Sequence, residues 1–337
     1  MPELPPWPVG NPYHVHGGIL SPPHCSKSGG QIQRGWGRST PRREGPSTSA
    51  RVGVIRISAP TPSAGYFCGD IQILATLISA FVIPGFSPIA DEPNGGQLLT
   101  GTFAGTARPG FIYLPPAFDS SRRYPVVYLL HGLPGSPSEY IDSLQLGQFA
   151  DSEITSGAMR PFIAIVPAAG TTPHYGGEWA GPWETALIKE IVPWVDAQLP
   201  TVAGTAGRIL AGLSAGGFGA VNIAVRHPGV FGAVESWSGY FQPLHDAPFV
   251  QADHATLAAN DPTLLVRTEA PILRADRVRF FVSTGPYHSH LISPGSTPGF
   301  AQELRGLRLP VTYRSYPSLQ GEWSKQFDEG LIWALAP

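Results

Sequence analysis

Short apolar runs alternate with longer stretches of helical periodicity from Gln97 to Pro337. The runs are rich in β-branched residues and mostly lack a polar alternation, which is typical of strands buried inside a parallel sheet. The pattern predicts an α/β fold with helices on both faces of a mostly parallel sheet. The predicted strands are Gln97–Phe103, Gly110–Leu114, Val126–Leu130, Phe162–Val166, Arg208–Ala211, Ala233–Trp237, Val278–Ser283 and Val311–Tyr316. We expect the first two to form an antiparallel hairpin at the edge of the sheet.

Between these runs, apolar residues recur with the period of an amphipathic helix. The predicted helices are Tyr140–Ser156, Trp183–Gln198, Gly216–Arg226, Thr297–Leu307 and Trp323–Leu335. We expect these strands and helices to form one domain over residues 91–337, because no internal repeat or linker divides them.

The chain before residue 91 has a different character. Residues 1–66 are dense in Pro, Gly, Ser and Arg and show no sustained period. They bury too little apolar surface to offset the entropy of ordering, so we expect disorder or an over-long gene start.

Residues 67–90 have the order of a signal peptide. After a basic lead, Ile71–Ala90 carries no charge, and Pro84 and Gly85 interrupt it before the small residue Ala90. This order predicts secretion or a place in the cell envelope, with cleavage near Ala90. A membrane anchor and a buried core helix are the alternatives, although Pro84 leaves a short apolar run for spanning a bilayer.

Composition narrows the function classes. The chain is 42% hydrophobic and 14% charged, so it can bury a large core. A net charge of −2 argues against the concentrated basic surface that nucleic-acid binding needs. Cys25 and Cys68 are the only cysteines, too few for a disulfide framework or a Cys-based metal site. We expect no nucleic-acid partner, no metal and no organic cofactor.

The segment RILAGLSAGGFG, residues 208–219, joins a buried strand to a helix rich in small residues through the pattern G-x-S-x-G. Such a turn predicts a nucleophilic Ser214 at the C-terminal edge of the sheet, with Gly212 and Gly216 allowing close backbone contact. The helix begins at the serine, so the Ala215 N–H and the helix dipole can stabilise an oxyanion. A glycine-rich turn with an incidental serine is the alternative.

A second apolar strand, in YPVVYLLHGLPGS, ends at His131. The loop after such a strand supplies the other oxyanion N–H in this kind of site, and Leu133 is the residue expected there. His131 lies directly at the strand end, which favours a structural histidine over a catalytic base.

Four segments together resemble the esterase branch of the α/β-hydrolases, which holds esterase D, feruloyl esterases and bacterial mycolyltransferases. They read FIYLPPAFDSSRRYPVVYLLHGLPG, ETALIKEIVPWVD, RILAGLSAGGFGAVNIAVRHPGVFGAVESWSGYF and FAQELRGLRLPVTYRSYPS, and the resemblance covers about residues 97–337. It implies an α/β-hydrolase with a mostly parallel sheet of about eight strands. It also implies a serine esterase or acyltransferase with a triad in the chain order Ser, acid, His.

The sequence departs from that triad at two places. The acid is expected just after Val278–Ser283, yet the loop reads TGPYHSH, with His288 where a carboxylate belongs. The histidine is expected in SLQGEW, where Gln320 or Gly321 stands instead, and no histidine follows His290.

Two hypotheses follow from this departure. In a rearranged triad, His288 or His290 serves Ser214 as base and Glu322 orients the imidazole; Asp246 is a further candidate acid. In the alternative, both histidines are solvated loop residues, and the chain is a catalytically impaired relative that binds an envelope lipid, a glycan or a protein. A His-x-His metal pair has no third ligand at a useful spacing.

The loop HYGGEWAGPW carries aromatic residues to the same edge of the sheet. Tyr175 and Trp179 are predicted to bind the substrate there, and the expected substrate is a small-molecule, lipid or glycan ester. In the alternative, Trp183 in this stretch only begins the amphipathic helix that carries apolar residues towards the core, namely Ile188, Ile191, Val192 and Val195.

Overall fold

The computed structural model describes residues 81–169, 178–244, 248–286, 293, 295–318 and 322–337. The chain divides into two units, Met1–Leu74 and Ala75–Pro337, and every described residue belongs to the second. The strands within these residues are β1 (Phe86–Asp91), β2 (Gln97–Gly101), β3 (Gly110–Leu114), β4 (Val126–Leu130), β5 (Ile163–Val166), β6 (Arg208–Leu213), β7 (Ala233–Trp237), β8 (Arg279–Thr284) and β9 (Val311–Ser315).

These strands form one sheet in the order β1-β2-β3-β5-β4-β6-β7-β8-β9. The first three strands run antiparallel to their neighbours, and β3 also pairs antiparallel with β5. From β5 to β9 every pairing is parallel. The C-terminal ends of the parallel strands therefore meet at one edge of the sheet.

Helices connect the parallel strands. They are α1 (Leu146–Ser156), α2 (Pro182–Thr185), α3 (Val192–Gln198), α4 (Ala215–Arg226), α5 (His254–Ala258), α6 (Pro262–Ala275), α7 (Ser296–Gly306) and α8 (Glu322–Leu335). Two π-helical segments, Glu139–Ser143 and Ala186–Ile191, precede α1 and join α2 to α3. Within the described residues, no helix combines the length and the apolar character needed to cross a membrane.

The core lies on both faces of the sheet, and β4 shows why. Val126, Tyr128 and Leu130 pack into the cluster on one face, whereas Val127 and Leu129 pack into the cluster on the other. All five are fully buried. Side chains alternate between faces along a strand, so a strand covered on both faces must be apolar at every position. This explains the unbroken apolar runs of the sequence.

The α/β prediction is confirmed, and each of the eight predicted strands is present. The predicted hairpin β2–β3 is antiparallel, but β1 pairs outside it and forms the edge. All of β1 except Asp91 lies within residues 71–90, which the sequence assigns to a leader, and its Phe86 is buried against Phe103. The signal-peptide prediction itself concerns mainly residues outside the described part of the chain.

Two helices, α5 and α6, were not predicted. Pro271 lies inside α6 and is a residue that usually ends a helix, which conceals the helical period in the sequence. The helix start is well specified, because the Asp261 carboxylate accepts the N–H groups of Thr263 (2.9 Å) and Leu264 (3.1 Å). Pro262 follows at the first helical position, where its missing N–H costs nothing.

Candidate active site

The candidate site lies where β6, β7 and β8 end. Leu213, Trp237 and Ser283 are partners across these strands, so the residues that follow them lie at one level of the sheet. The Ser214 N–H donates to Trp237 O (2.9 Å), and the Ser238 N–H donates to Ser283 O (2.8 Å). Since adjacent strands are about 4.8 Å apart, Ser214 lies about 10 Å from the start of the loop after β8. One imidazole with a hydrogen bond on each side can bridge such a gap.

Ser214 occupies a strained turn between β6 and α4. Its backbone has φ 54° and ψ −116°, which a residue with a side chain rarely adopts. A Cβ on Gly212 would lie 2.3 Å from the carbonyl carbon of Gly216, and a Cβ on Gly216 would lie 1.9 Å from Leu130 O. Both glycines are therefore required by close backbone approach. The turn holds the half-buried Ser214 at the sheet edge.

The two residues predicted to form an oxyanion hole belong to one apolar cluster beside Ser214. Ala215 is buried in it with Phe218, and Leu133 packs against it from the loop after β4. At Gly132 a Cβ would be 3.4 Å from Ser214 Cβ, so this loop touches the turn directly. The N-terminus of α4 also brings its positive dipole end to this point.

His131 supports this loop as a neutral side chain. It is 1% exposed; its Nε2 accepts the Ala169 N–H (3.1 Å), and its Nδ1 lies 2.8 Å from Gly132 O. These contacts fix the tautomer with the proton on Nδ1. Burial lowers the pKa of His131 to about 4, so the ring is uncharged at neutral pH. Both nitrogens are engaged, which leaves His131 in the structural role expected from the sequence.

Trp179 lies beneath the loop rather than on a surface. Its indole is 1% exposed and donates to His131 O (2.9 Å), and its Cβ would lie 2.4 Å from a Cβ on Gly219. The structure gives Trp179 a packing contact with α4, and a direct contact with substrate would require this ring to be uncovered. Tyr175, its predicted partner in substrate binding, lies outside the described residues.

Glu322, the predicted orienting acid, is 1% exposed at the start of α8. Its Oε1 accepts the Ser238 hydroxyl (3.2 Å) and the Gln326 amide (3.3 Å). The same carboxylate lies against Gly285, the first residue after β8. The structure therefore brings Glu322 to the edge that carries Ser214. Ser238 and Gln326 were missed in the sequence, although the spacing of Glu322 and Gln326 places them on one face of a helix.

The predicted bases His288 and His290, and the candidate acid Asp246, lie outside the described residues, as do Gln320 and Gly321. Of the histidines that the structure describes besides His131, His227 ends α4, about 18 Å from the turn. Its Nε2 is 2.6 Å from Glu184 Oε1. Among the described residues, no group of three or more His, Cys, Asp or Glu side chains could hold a metal ion.

Glu139 is a second acid near the site that sequence reasoning missed. It lies in the π-helical segment after β4, and a Cβ on Gly135 would be 2.8 Å from its Oε1. Burial raises the pKa of Glu139 to about 7, and a backbone hydrogen bond from Ser136 opposes the shift. The Glu139 carboxyl packs against Gly135, which lies in the loop that carries Leu133.

Fold and turn together define an α/β-hydrolase: a mostly parallel sheet between helices, with a serine on a strained turn after a central strand. A family model described as "Putative esterase" matches residues 102–333, more than half of the chain. The chain belongs to this family. A solved ferulic acid esterase has the same fold, with a TM-score of 0.62 and 23% identity over 71% of this chain and 98% of that one.

Similar proteins are esterases and acyltransferases. An esterase of Mycobacterium tuberculosis is 36% identical over 134 residues, 38% of this chain. That match spans only 28% of the relative's length. The diacylglycerol acyltransferase/mycolyltransferase Ag85B of Mycolicibacterium smegmatis is 25% identical over 280 residues, 72% of this chain and 83% of that protein.

Proposed function

We propose that this protein is a serine carboxylic-ester hydrolase or acyltransferase that works through an acyl-enzyme on Ser214. The observation that carries the proposal is the backbone of Ser214, which is held at φ 54° between two glycines that tolerate no side chain. Proteins maintain such strain where it positions a reactive group. Family membership supports the same reaction class.

In the proposed reaction, Ser214 Oγ attacks the ester carbonyl carbon while a base removes the hydroxyl proton. The amides of Leu133 and Ala215 bind the carbonyl oxygen, which becomes an oxyanion. The bond to the leaving alcohol then breaks, the alcohol takes the proton from the base, and the acyl group remains on Ser214. Water or an acceptor hydroxyl, deprotonated by the same base, then attacks the acyl carbon, the bond to Ser214 Oγ breaks, and Oγ takes the proton back from the base as the acyl group leaves.

The proposed base is His288 or His290, and Glu322 orients its ring. Support comes from the start of the loop that carries both histidines: Gly285 lies against the Glu322 carboxylate. The loop that carries both histidines therefore begins beside Glu322, the acid proposed to orient the ring. We expect kcat/KM to rise with pH through about 6.5, shifted upward where Glu322 is ionised nearby.

The proposed substrate is an ester of a hydrophobic acid. Support comes from half-buried Leu133, which packs on the buried apolar side chains of Ala215 and Phe218 next to Ser214 and favours an apolar acyl group over a charged one. The names of the relatives point the same way, since they include a ferulic acid esterase and a mycolyltransferase. The acceptor, water or a sugar hydroxyl, decides between hydrolase and transferase.

The test is hydrolysis of p-nitrophenyl esters of increasing chain length by the purified protein. We expect a burst of p-nitrophenol equal to the enzyme concentration, followed by slower turnover, and no burst from Ser214→Ala. Ser296→Ala, at the start of α7, is the matched control and should behave as wild type. A folded wild type without burst or turnover would favour the alternative of a scaffold that binds an envelope ligand without hydrolysis.

The base is tested by His288→Ala and His290→Ala, made separately. We expect one variant to lose at least about 10³-fold in kcat/KM and the other to change little, because only one imidazole can serve Ser214. Equal, small losses in both would contradict the assignment. A gain of activity in Gly321→His would then indicate a scaffold that has lost its base.

We also propose that the protein acts outside the cytoplasm, on the basis of the apolar segment Ile71–Ala90. Cleavage after Ala90 would remove all of β1 except Asp91. N-terminal sequencing of protein secreted by its natural host tests this point. A mature chain that begins near residue 91 would support the signal peptide, and retention of residues 71–90 in all fractions would contradict it.

A further inference from the structure

Gly285 and Glu322 compete for one volume at the end of β8. A Cβ built on Gly285 would lie 1.5 Å from Glu322 Oε1 and 1.8 Å from its carboxyl carbon. No real side chain fits at such distances, so position 285 must be glycine while Glu322 holds its place. The carboxylate from α8 thus fills the space that a side chain directly after β8 would occupy.

A closed set of hydrogen bonds holds the carboxylate there. The Ser283 hydroxyl donates to Gln326 Oε1 (2.6 Å), which orients the amide and directs Gln326 Nε2 to Ser238 Oγ (2.9 Å) and Glu322 Oε1 (3.3 Å). Ser238 Oγ also accepts the Gly285 N–H (3.2 Å), which leaves its own proton for Glu322 Oε1 (3.2 Å). Each donor in this set then has an acceptor.

The arrangement depends on the ends of three elements. Ser238 follows β7 with φ 48°, a left-handed conformation that directs its hydroxyl across to β8. Ser283 lies in β8, and Glu322 and Gln326 come from the first two turns of α8. Ser283 and Gln326 are fully buried. A buried network of this kind is costly unless its members are satisfied, and every donor named above has an acceptor, which favours a selected position for Glu322.

We propose that Glu322 is the relocated acid of the Ser214 site, supplied by α8 into the volume directly after β8 instead of by the loop that follows this strand, and that Gln326 is its positioning residue. The inference rests on the proposed function, and it deepens that function by identifying the residues that hold Glu322, the third member of the site, in place. It accounts for the glycine at position 285 and supplies an acid in place of the one that the sequence lacks at position 288. Ser283 and Ser238 act through Gln326 and Glu322, not on the substrate.

Exchanging the two positions tests the relocation. Glu322→Ala should lower kcat/KM by about 10⁴-fold, as expected for loss of a triad acid. The apparent pKa of kcat/KM should also fall, because the base loses a neighbouring negative charge. Gly285→Asp alone should lower Tm, because the new side chain overlaps Glu322. The double variant Glu322→Ala/Gly285→Asp should recover both Tm and at least about tenfold in kcat/KM over Glu322→Ala.

Two outcomes would overturn the relocation. One is Glu322→Ala within about threefold of wild-type kcat/KM at an unchanged apparent pKa. The other is a double variant whose Tm and activity are the simple sum of the single changes, since residues that share a volume must couple. The Tm arm needs no activity, so it reports the shared volume even if the proposed esterase function fails. Ser214→Ala with wild-type turnover would be a failure of that function alone.

Gln326→Leu tests the positioning role. We expect kcat to fall by about 10- to 100-fold with KM within about twofold, the loss expected for one hydrogen bond to a charged group. The pH profile should shift in the same direction as in Glu322→Ala. The exposed Gln302→Leu in α7 is the matched control and should change neither. A Gln326→Leu variant that lowers only Tm, with kcat and pH profile of wild type, would contradict the role.

Discussion

The two edges of the parallel sheet use polar groups in opposite ways. At the C-terminal edge, Ser214 and Ser238 both have left-handed backbones, and a buried carboxylate is held among uncharged donors. At the N-terminal edge, Arg279 donates to the carbonyl oxygens of Trp333 (3.0 Å) and Ala334 (2.6 Å), the last turn of α8. One edge stores strain around a reactive group, whereas the other satisfies the end of a helix.

At the N-terminal edge, arginine side chains form ion pairs and hydrogen bonds with other parts of the protein. Arg208 forms an ion pair with Asp196, and Arg160 donates through Nε to Leu335 O (3.4 Å). Arg160 and Arg208, with Arg277 and Arg279, line an open cleft of about 280 Å³ at the starts of β6, β7 and β8. The hydrogen bonds from Arg160 and Arg279 place positive charge at the C-terminal end of α8, where it interacts favourably with the helix dipole. Arginines therefore fix α8 at its C-terminus, and its N-terminus presents Glu322 at the opposite edge.

Replacing Ser214 by glycine should change activity and stability in opposite directions at the C-terminal edge. Ser214→Gly should lower turnover by about 10⁶-fold, as for loss of the nucleophile in other serine enzymes. The same change should raise the free energy of unfolding by about 1 kcal/mol, because glycine adopts φ 54° without strain. Ester hydrolysis and urea denaturation measure the two effects. A loss of both activity and stability would contradict the strain assigned to this turn.

The second largest effect concerns the elbow glycines. Gly216→Ala should lose at least about 3 kcal/mol of unfolding free energy, because its Cβ would overlap the Leu130 carbonyl oxygen at 1.9 Å. Gly299→Ala is the matched control: it lies in α7 with no atom within 4 Å of a new Cβ. Alanine there should stabilise the helix by up to about 1 kcal/mol. Similar effects at both positions would argue against close packing at the elbow.

At the N-terminal edge we expect the reverse pattern. Arg279→Met keeps the contact with the Trp333 ring but removes both hydrogen bonds to α8, which should cost about 2–3 kcal/mol of unfolding free energy. The kcat/KM per folded molecule should stay within about twofold of wild type. Arg305→Met, at an exposed position in α7, serves as control. A large fall in kcat/KM for Arg279→Met with an unchanged Tm would contradict the separate roles assigned to the two edges.

The smallest effect is a pH dependence of stability at Glu235. This residue of β7 is fully buried, Trp237 donates to its Oε2 (3.1 Å), and burial raises its pKa from 4.5 to about 8. Between these values the folded protein keeps a proton that the unfolded chain loses, so Glu235 lowers stability progressively as pH rises through this window.

Glu235→Gln removes that titration and matches the shape of the neutral carboxyl. We expect the unfolding free energy of the variant, relative to wild type, to increase from pH 5 to pH 8 and then to level off. Other titrating groups, including Glu139, are present in both proteins and cancel in the difference. A difference that stays constant with pH, measured by urea denaturation, would contradict a neutral Glu235.

Much of the fold follows from local pattern. The strands β4 and β6 are predicted because burial on both faces removes polar residues from them, and the turn at Ser214 is predicted because two glycines flank a serine between a strand and a helix. Helix α6 was missed because Pro271 breaks the period, and β1 because an apolar segment before a small residue also fits a leader.

Glu322 was a candidate acid from the sequence, and its spacing from Gln326 is a local pattern, but the contacts that hold Glu322 at the end of β8 could not be predicted, because they join separate elements. Gly285 reads as an ordinary loop glycine until Glu322, 37 positions later, is found against it. Ser238 and Ser283 join the network only because β7 and β8 are neighbours in register. Position in the sheet, rather than residue type, gives these side chains their role.

Covalent labelling decides whether Ser214 is an activated nucleophile. A fluorophosphonate probe should add once to the folded wild-type protein, and peptide mass spectrometry should locate the adduct on Ser214. Heat-unfolded protein and Ser214→Ala should remain unlabelled, because the reactivity depends on the folded turn and on this hydroxyl. Absence of an adduct on Ser214 in a folded, monodisperse sample, or an adduct on another residue with Ser214 unmodified, would contradict the account.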